Sequence, residues 1–170
     1  GFCLVGSEMC IRDSIEQSRT DLITHVGELQ TSRRQADVSL AAANARLGAI
    51  QHALDTLSDA IASGKGIPHI VPQAIQERLV DLVLQEQQQL ANYPDDSRSV
   101  QAIREQIAEA RALIEQEARH DLTTKLFAEQ TQASALDAER TAIDAQLATA
   151  SQELAALVEE HRRSERPACL

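Results

Sequence analysis

The sequence predicts an all-α fold, a long antiparallel coiled-coil hairpin with a Gly/Pro break in its outgoing arm. Only 2% of the 170 residues are aromatic, whereas a globular core of this size normally takes much of its buried area from aromatic side chains. Apolar residues recur at alternating steps of three and four along most of the chain, which is the coiled-coil pattern. Helix-breaking residues concentrate around residues 63–72 and at Pro94, and they divide the chain into long helical segments.

Residues 1–14, GFCLVGSEMCIRDS, differ in character from the rest and show no helical period. The string resembles a translated sequencing-adapter scar, so we predict a non-native leader here and exclude it from fold reasoning. A redox or metal pair of Cys3 and Cys10 is the disfavoured alternative, because the six residues between them match no common metal-ligand spacing. Residues 166–170, which include Cys169, are predicted to be a truncated end.

The hairpin itself is predicted over residues 15–165, and its first arm over residues 15–62, in a helix that begins near Asp13 or Ser14. A 3.5-residue repeat held over this length keeps one narrow stripe, here called the seam, facing a partner helix. Arg33 is the only interruption, and small residues at Ala36 and Ala43 make the seam thin. The seam of this arm comprises Leu22, Val26, Leu29, Ala36, Leu40, Ala43, Leu47, Ile50, Leu54, Leu57 and Ile61.

The break is predicted over residues 63–72, where two glycines and two prolines fall close together: Gly64, Gly66, Pro68 and Pro72. A phosphate-binding loop at Gly64-Lys65-Gly66 is disfavoured, because the spacer before the Gly-Lys pair and the following Ser or Thr are missing.

The first arm continues over residues 73–92, with a predicted apolar stripe of Leu79, Val83, Leu90 and Tyr93. The tip follows at residues 93–97. Pro94 disfavours helix at the preceding residue, and an Asp or Ser beside it can accept hydrogen bonds from the free amides of a new helix. The structural tip turn is therefore predicted to comprise Tyr93, Pro94, Asp95, Asp96 and Ser97.

The return arm is predicted over residues 97–165, with two apolar seams that are out of frame with each other. Between them the apolar residues follow successive steps of four from Ala110 to Leu126, a stutter that locally unwinds a supercoil. Since the two arms match in length, the break should face residues 117–126, where the stutter falls. The first seam comprises Val100, Ile103, Ile107, Ala110 and Ile114, and the second comprises Leu122, Leu126, Ala133, Leu136, Ile143, Leu147, Ala150, Leu154 and Leu157.

A three-helix bundle is the competing architecture. It would require the return arm to fold in half, and the sequence between Val100 and Arg163 contains neither Gly nor Pro. The single hairpin is therefore favoured.

The residues suggest neither catalytic nor cofactor chemistry. The net charge of -10 and the lack of a basic patch argue against a nucleic-acid partner, and no apolar run approaches the length of a membrane span. Asp95 and Asp96 are interpreted as cap and solvated turn rather than as an acid/base pair, because a thin helical pair cannot enclose a pocket. We therefore predict no enzyme, no catalytic residue and no cofactor.

No metal site is predicted either, because no two of the five histidines form a helical i, i+3 or i, i+4 pair. A pair of His69 and His120 across the predicted hairpin is the disfavoured alternative. Arg33 and Arg140 occupy seam positions, and their stems are expected to pack while their charges reach water or a Glu. Either arginine could instead set the register of the two arms.

Residues 75–117, IQERLVDLVLQEQQQLANYPDDSRSVQAIREQIAEARALIEQE, carry a family resemblance. With the long helices on either side, they resemble the periplasmic coiled-coil arm of bacterial exopolysaccharide chain-length-determinant proteins, also called polysaccharide co-polymerases. In that family a short helix ends in an aromatic residue, followed by Pro, an Asp/Asn-Ser turn and a Val-Gln-Ala-Ile-like helix start. A second Pro often precedes the Val, where this chain has Ser99. The matching residues are Tyr93, Pro94, Asp96, Ser97, Val100, Gln101 and Ile103.

The resemblance implies a periplasmic fragment of an inner-membrane protein that helps set polymer length or export during exopolysaccharide assembly. It implies a homo-oligomer, other polysaccharide-assembly components as partners, and membrane contact only through segments outside this sequence. Two alternatives remain open: the hairpin of a periplasmic adaptor in a secretion or efflux system, and a cytoplasmic coiled-coil scaffold.

Overall fold

The computed structural model describes residues 2–64 and 71–166, with side chains from residue 9 onward within those ranges. Three α-helices occupy them: α1 (Phe2–Ser63), α2 (Gln73–Asn92) and α3 (Arg98–Glu165). No strand occurs in the described ranges, so the predicted all-α fold is confirmed.

The start of α1 differs from the prediction. The helix begins at Phe2 rather than near Asp13 or Ser14, and it therefore includes most of the predicted leader. Residues 2–14 contain no proline, and a single Gly6 lowers helix propensity by only about 1 kcal/mol relative to Ala. Since each added residue extends an existing helix at little cost, nothing in this segment stops α1 from continuing. The non-native origin of the leader stays a prediction.

α1 ends at Ser63, directly before Gly64. Gly64 has a φ of 67°, the left-handed conformation that glycine favours after a helix, and its amide donates to the carbonyl of Ile61 at 3.3 Å. Gly66, Pro68 and His69 lie outside the described residues. At the far side, the Pro72 carbonyl accepts from the amide of Ile75 at 3.0 Å as α2 begins.

The apolar stripe of α2 is displaced from the predicted one. Leu79 is buried as predicted and Val83 is half-buried, but Leu82 is buried as well, while Leu90 and Tyr93 are 39% and 53% exposed. The buried or half-buried positions Ile75, Leu79, Leu82, Glu86 and Gln89 follow steps of four and three. The prediction failed at the end of α2 because this seam passes through polar residues there.

The chain divides into two compact units. Unit 1 comprises Gly1–Ala43 and Gln132–Leu170, so it joins the first part of α1 to the last part of α3. Within it, Arg33 pairs with Asp144 and Asp37 pairs with Arg140, which shows that the two helices run antiparallel there. Its core contains Leu29, Ala36, Ile143 and Ala150, with Val26 and Leu147 packed against them.

Unit 2 comprises Asn44–Thr131 and contains the end of α1, all of α2 and the first part of α3. All three helices contribute to its core. The residues beside the break, Leu57, Ile61 and Val71, share that core with the stutter residues of α3. The core comprises Leu57, Ile61, Val71, Leu79, Leu82, Ile107, Ala110, Ile114, Ala118 and Leu122.

The predicted seams of α1 and α3 are confirmed by burial. Every apolar seam position predicted in α1 from Leu22 to Ile61 is buried or half-buried, and so is every one predicted in α3 from Val100 to Leu157. The successive steps of four from Ala110 to Leu126 are buried or half-buried as well.

Candidate functional site: the α2–α3 turn and the cross-helix ion pairs

The turn between α2 and α3 is built by residues that the sequence singled out. α2 ends at Asn92, Tyr93 takes an extended conformation, and the Tyr93 amide donates to the Gln89 carbonyl at 2.8 Å. The Ser97 amide donates to the Pro94 carbonyl at 3.0 Å, which closes a turn over Pro94–Ser97. The turn thus lies between Asn92, the last residue of α2, and Arg98, the first residue of α3.

Ser97 provides the first capping contact of α3. Its hydroxyl accepts from the Val100 amide at 3.4 Å, and its carbonyl accepts from the Gln101 amide at 3.1 Å. A serine in this position satisfies one of the free amides at a helix start. Asp96 is exposed, in agreement with its interpretation as a solvated turn residue.

Arg104 links the turn to α2, and sequence reasoning missed it. Its guanidinium donates to Glu86 Oε1 at 2.7 Å and to Asp95 Oδ1 at 2.5 Å, so one side chain joins α2, the turn and α3. We call Glu86, Asp95 and Arg104 the turn clamp. The sequence offered only one indication of this ion pair, which is charge: an arginine lies two helical turns into α3, and a glutamate lies two turns before the end of α2. Asp95 therefore anchors the turn and does not cap the helix, which corrects its predicted role.

The turn clamp shifts the protonation of its members. The hydrogen bond from Arg104, reinforced by the charge of its guanidinium, lowers the pKa of Asp95. Hydrogen bonds to Asp95 and then Glu86 raise the pKa of Arg104. The ionised forms of Asp95 and Arg104 are thus the ones that hold the turn.

Unit 1 carries four charged residues that pair reciprocally across the two helices. Arg33 Nε lies 2.6 Å from Asp144 Oδ1, and Arg140 Nη1 lies 3.7 Å from Asp37 Oδ1. We call Arg33, Asp37, Arg140 and Asp144 the charge quartet. Both seam arginines thus reach an acidic side chain as predicted, but the acid is an Asp of the facing helix rather than a Glu.

Unit 2 contains two further polar links between α1 and α3. Arg46 Nε donates to both carboxylate oxygens of Glu129 at 3.0 Å, and Ser58 Oγ donates to Glu115 Oε1 at 2.8 Å. Hydrogen bonds from Arg119 and then from Ser58 lower the pKa of Glu115. Glu129 occupies a half-buried seam position between Leu126 and Ala133, which the apolar pattern alone could not reveal.

The histidines and cysteines offer little chemistry within the described residues. His25, His52 and His120 are exposed, and His161 Nε2 lies 3.1 Å from Glu165 Oε1. The alternative His69/His120 pair stays untested because His69 lies outside the described residues. Cys10 is exposed and free, whereas the Cys3 side chain and Cys169 lie outside the described part.

The described side chains contain no group of three or more His, Cys, Asp or Glu residues that could hold a metal ion. Over the same residues, no helix combines the length and the apolar character needed to cross a membrane.

Comparisons of the chain with protein-family models, with curated proteins and with solved structures give no match. What the chain can do is therefore inferred from its own residues and contacts.

Proposed function

We propose that this chain is a noncatalytic periplasmic coiled-coil arm of an inner-membrane protein in exopolysaccharide chain-length control and export. The observation that carries the proposal is the segment Tyr93–Ile103, whose aromatic-Pro-Asp-Asp-Ser turn and Val-Gln-Ala-Ile helix start resemble those of the chain-length-determinant family. The turn between α2 and α3 falls on these residues. Homo-oligomerisation and contacts with other polysaccharide-assembly components are part of the proposal.

A long antiparallel coiled-coil hairpin is the architecture that we propose for the arm. The antiparallel pairing shown for unit 1 supports it. In unit 2 the order of contacts is also antiparallel, since Arg46 of α1 meets Glu129 while the later Ser58 meets the earlier Glu115. The 68 residues of α3 correspond to roughly 100 Å of helix. Helices of that length suit a spacer that carries contacts far from a membrane surface.

The turn clamp supports the same role. A spacer that folds back needs a turn of fixed geometry, because a flexible turn would let the paired helices separate. Arg104 supplies this by bonding at once to Glu86 in α2 and to Asp95 in the turn. Charge-assisted hydrogen bonds of this kind are stronger than neutral ones and more directional.

Recovery of the uninterrupted gene tests the proposed family. We expect a hydrophobic membrane-spanning helix on each side of the region that encodes this chain. Open reading frames without such a helix on either side would refute the proposal. Flanking lipoyl-like β halves would indicate the adaptor alternative, and flanking nucleotide-binding or other cytosolic domains would indicate the cytoplasmic scaffold.

The proposed hairpin has a test of its own. Spin labels near residues 20 and 160 should give a short intramolecular distance in the parent chain. Replacing Pro94, Asp95 and Asp96 with Ala should favour one continuous helix, because it removes the proline and supplies helix-favouring residues. We expect the label distance to lengthen and the chain to shift toward an extended dimer.

A matched control for this test replaces Gln85, Gln87 and Gln88 with Ala, since these exposed positions lie inside α2. That variant should keep the parent distance. A long distance in the parent chain would refute the hairpin, whereas a short distance kept by the turn variant would show that Pro94, Asp95 and Asp96 do not hold the turn. Neither outcome depends on the gene context.

A further inference from the structure

The charge quartet places unlike charges opposite each other only when the two helices of unit 1 run antiparallel. Each helix of unit 1 carries an arginine four residues before an aspartate: Arg33 and Asp37 in α1, Arg140 and Asp144 in α3. When two such helices run antiparallel, the order of charges on one is reversed relative to the other. Each arginine then meets an aspartate, as the distances of 2.6 Å and 3.7 Å show.

We infer that the charge quartet selects the partner helix of unit 1: an antiparallel helix that carries Arg four residues before Asp, held in a single register. This inference depends only on contacts within unit 1, so it stands or falls independently of the role in exopolysaccharide assembly.

Parallel pairing is the first arrangement that the charge quartet disfavours. With the two helices aligned in parallel, Arg33 would face Arg140 and Asp37 would face Asp144. Like charges placed together repel, and building such repulsion against the wrong partner is a recognised source of pairing specificity.

A shifted antiparallel register is the second arrangement that the charge quartet disfavours. A slip of one heptad places Asp37 opposite Ala133 or Leu147 instead of Arg140. Arg140 then faces a side chain that carries no negative charge. At least one of the two ion pairs is lost in either direction of slip.

The apolar seam of unit 1 cannot supply this specificity alone. Two of its four buried core residues are alanines, Ala36 and Ala150. An alanine can be placed against a neighbouring seam residue without leaving a large cavity, so shifted registers differ little in apolar packing. A polar group at a seam position removes this ambiguity, usually at some cost in stability.

The burial of Arg140 indicates that this cost is present here. Its Nε is buried without a hydrogen-bond partner, while the rest of its guanidinium reaches toward Asp37 and Asp137. The side chains of Arg33 and Arg140 remain 48% and 39% exposed, and such partly solvated ion pairs add little stability. Arg140 therefore weakens the apolar packing of the seam, and its ion pair adds little stability. Its presence is better explained by selection of the partner helix.

The test uses the full chain with Cys3, Cys10 and Cys169 replaced by Ser, and with spin labels on cysteines introduced at Gln30 and Gln146. These two exposed positions lie at the same level in the observed register. Labelled chain is diluted with unlabelled chain so that only intramolecular distances contribute. The parent should give one narrow distance distribution.

Charge exchange in one helix should disturb this distance. In R33D/D37R, like charges meet at both pairs, and we expect a broadened distribution or one displaced by roughly 10 Å, the length of one heptad. The melting temperature should fall by about 5 °C. The fourfold variant R33D/D37R/R140D/D144R restores unlike pairs and should recover both the narrow distribution and the melting temperature. A control, E16R/R19D, makes the same charge exchange at exposed positions of α1 and should change neither.

A second variant separates partner selection from stabilisation. R33L/R140L removes the seam charges and adds apolar surface, so we expect an unchanged or higher melting temperature together with a broadened distance distribution. A single narrow distribution in this variant would overturn the inference, as would R33D/D37R with the parent distance or a fourfold variant that fails to recover. If R33D/D37R does not fold, recovery in the fourfold variant still decides the question.

Discussion

Unit 2 and unit 1 bury their apolar residues in different ways. The core of unit 2 contains ten buried residues drawn from three helices and the segment before α2, and all but Ala110 and Ala118 are large. The core of unit 1 contains four, and two of them are alanines. Three helices enclose Ile114 on all sides, whereas in unit 1 full burial is reached by the small Ala43, and the larger Leu29 and Ile143 stay 7% and 9% exposed. Apolar burial therefore contributes more to the stability of unit 2 than to that of unit 1.

The largest expected effect is the loss of stability when a core isoleucine is replaced by alanine, and it should differ between the two units. Ile114 is fully buried in unit 2, and Ile143 is 9% exposed in unit 1. Because a closed core cannot collapse around a deleted side chain, Ile114→Ala should lower the free energy of unfolding by about 4 kcal/mol, and Ile143→Ala by about 2 kcal/mol. Urea unfolding followed by circular dichroism measures both losses, and hydrogen exchange locates them. Equal losses would show that the two cores are equally closed.

A smaller effect comes from adding volume instead of removing it. Ala118 is fully buried in unit 2, so Ala118→Leu should overpack the core and lower the free energy of unfolding by about 1–3 kcal/mol. Ala150 in unit 1 is buried but also lines an open groove with His25 and Glu153, so Ala150→Leu can extend into the groove and should cost less than Ala118→Leu. Thermal unfolding measures both. A large loss at Ala150 would contradict the open seam of unit 1.

Two glycines, one just after α1 and one inside it, should respond to alanine in opposite directions. Gly64 has a positive φ and open space where a Cβ would be added, so Gly64→Ala should cost about 1 kcal/mol through backbone conformation alone. Gly48 lies inside α1 and also has open space, so Gly48→Ala should stabilise the chain by about 0.5–1 kcal/mol. Urea denaturation of the two variants would contradict this account if both shifts had the same sign.

The smallest effect concerns the turn clamp and pH. Since Arg104 lowers the pKa of Asp95 in the folded chain, the contribution of Asp95 is complete above its ordinary value of 3.8. It is lost as the pH falls through the lower folded value. Asp95→Asn should therefore reduce the melting temperature by about 2 °C at pH 6, and this difference from the parent should be smaller at about pH 2. Asp96→Asn, at an exposed position in the same turn, should leave the melting temperature unchanged at both pH values.

Periodicity predicted the seams of α1 and α3 well, because a helix in contact with one partner buries residues at 3.5-residue intervals whatever that partner is. The prediction failed where the buried stripe is polar. Glu86 and Gln89 continue the stripe of α2, and Glu129 fills a seam position of α3. A search for apolar residues passes over such positions, although the burial itself follows the same geometry.

The helix ends, too, were predicted at some positions and missed at others. Gly64 and Pro94 mark ends that local backbone chemistry determines, and both were predicted. The start of α1 at Phe2 was not, because an unusual composition does not by itself end a helix. A helix stops at residues that oppose it, and residues 2–14 contain none strong enough to do so.

The sequence by itself determined that the chain is helical, where its helices end beside Gly64 and Pro94, and which faces of α1 and α3 are buried. Those properties depend on residues within a few helical turns of one another. Only the tertiary structure decided that Arg104 joins α2 to the turn and that Arg33 meets Asp144. These contacts link residues distant in the chain, and their partners are set by how the helices pack, which no local pattern records.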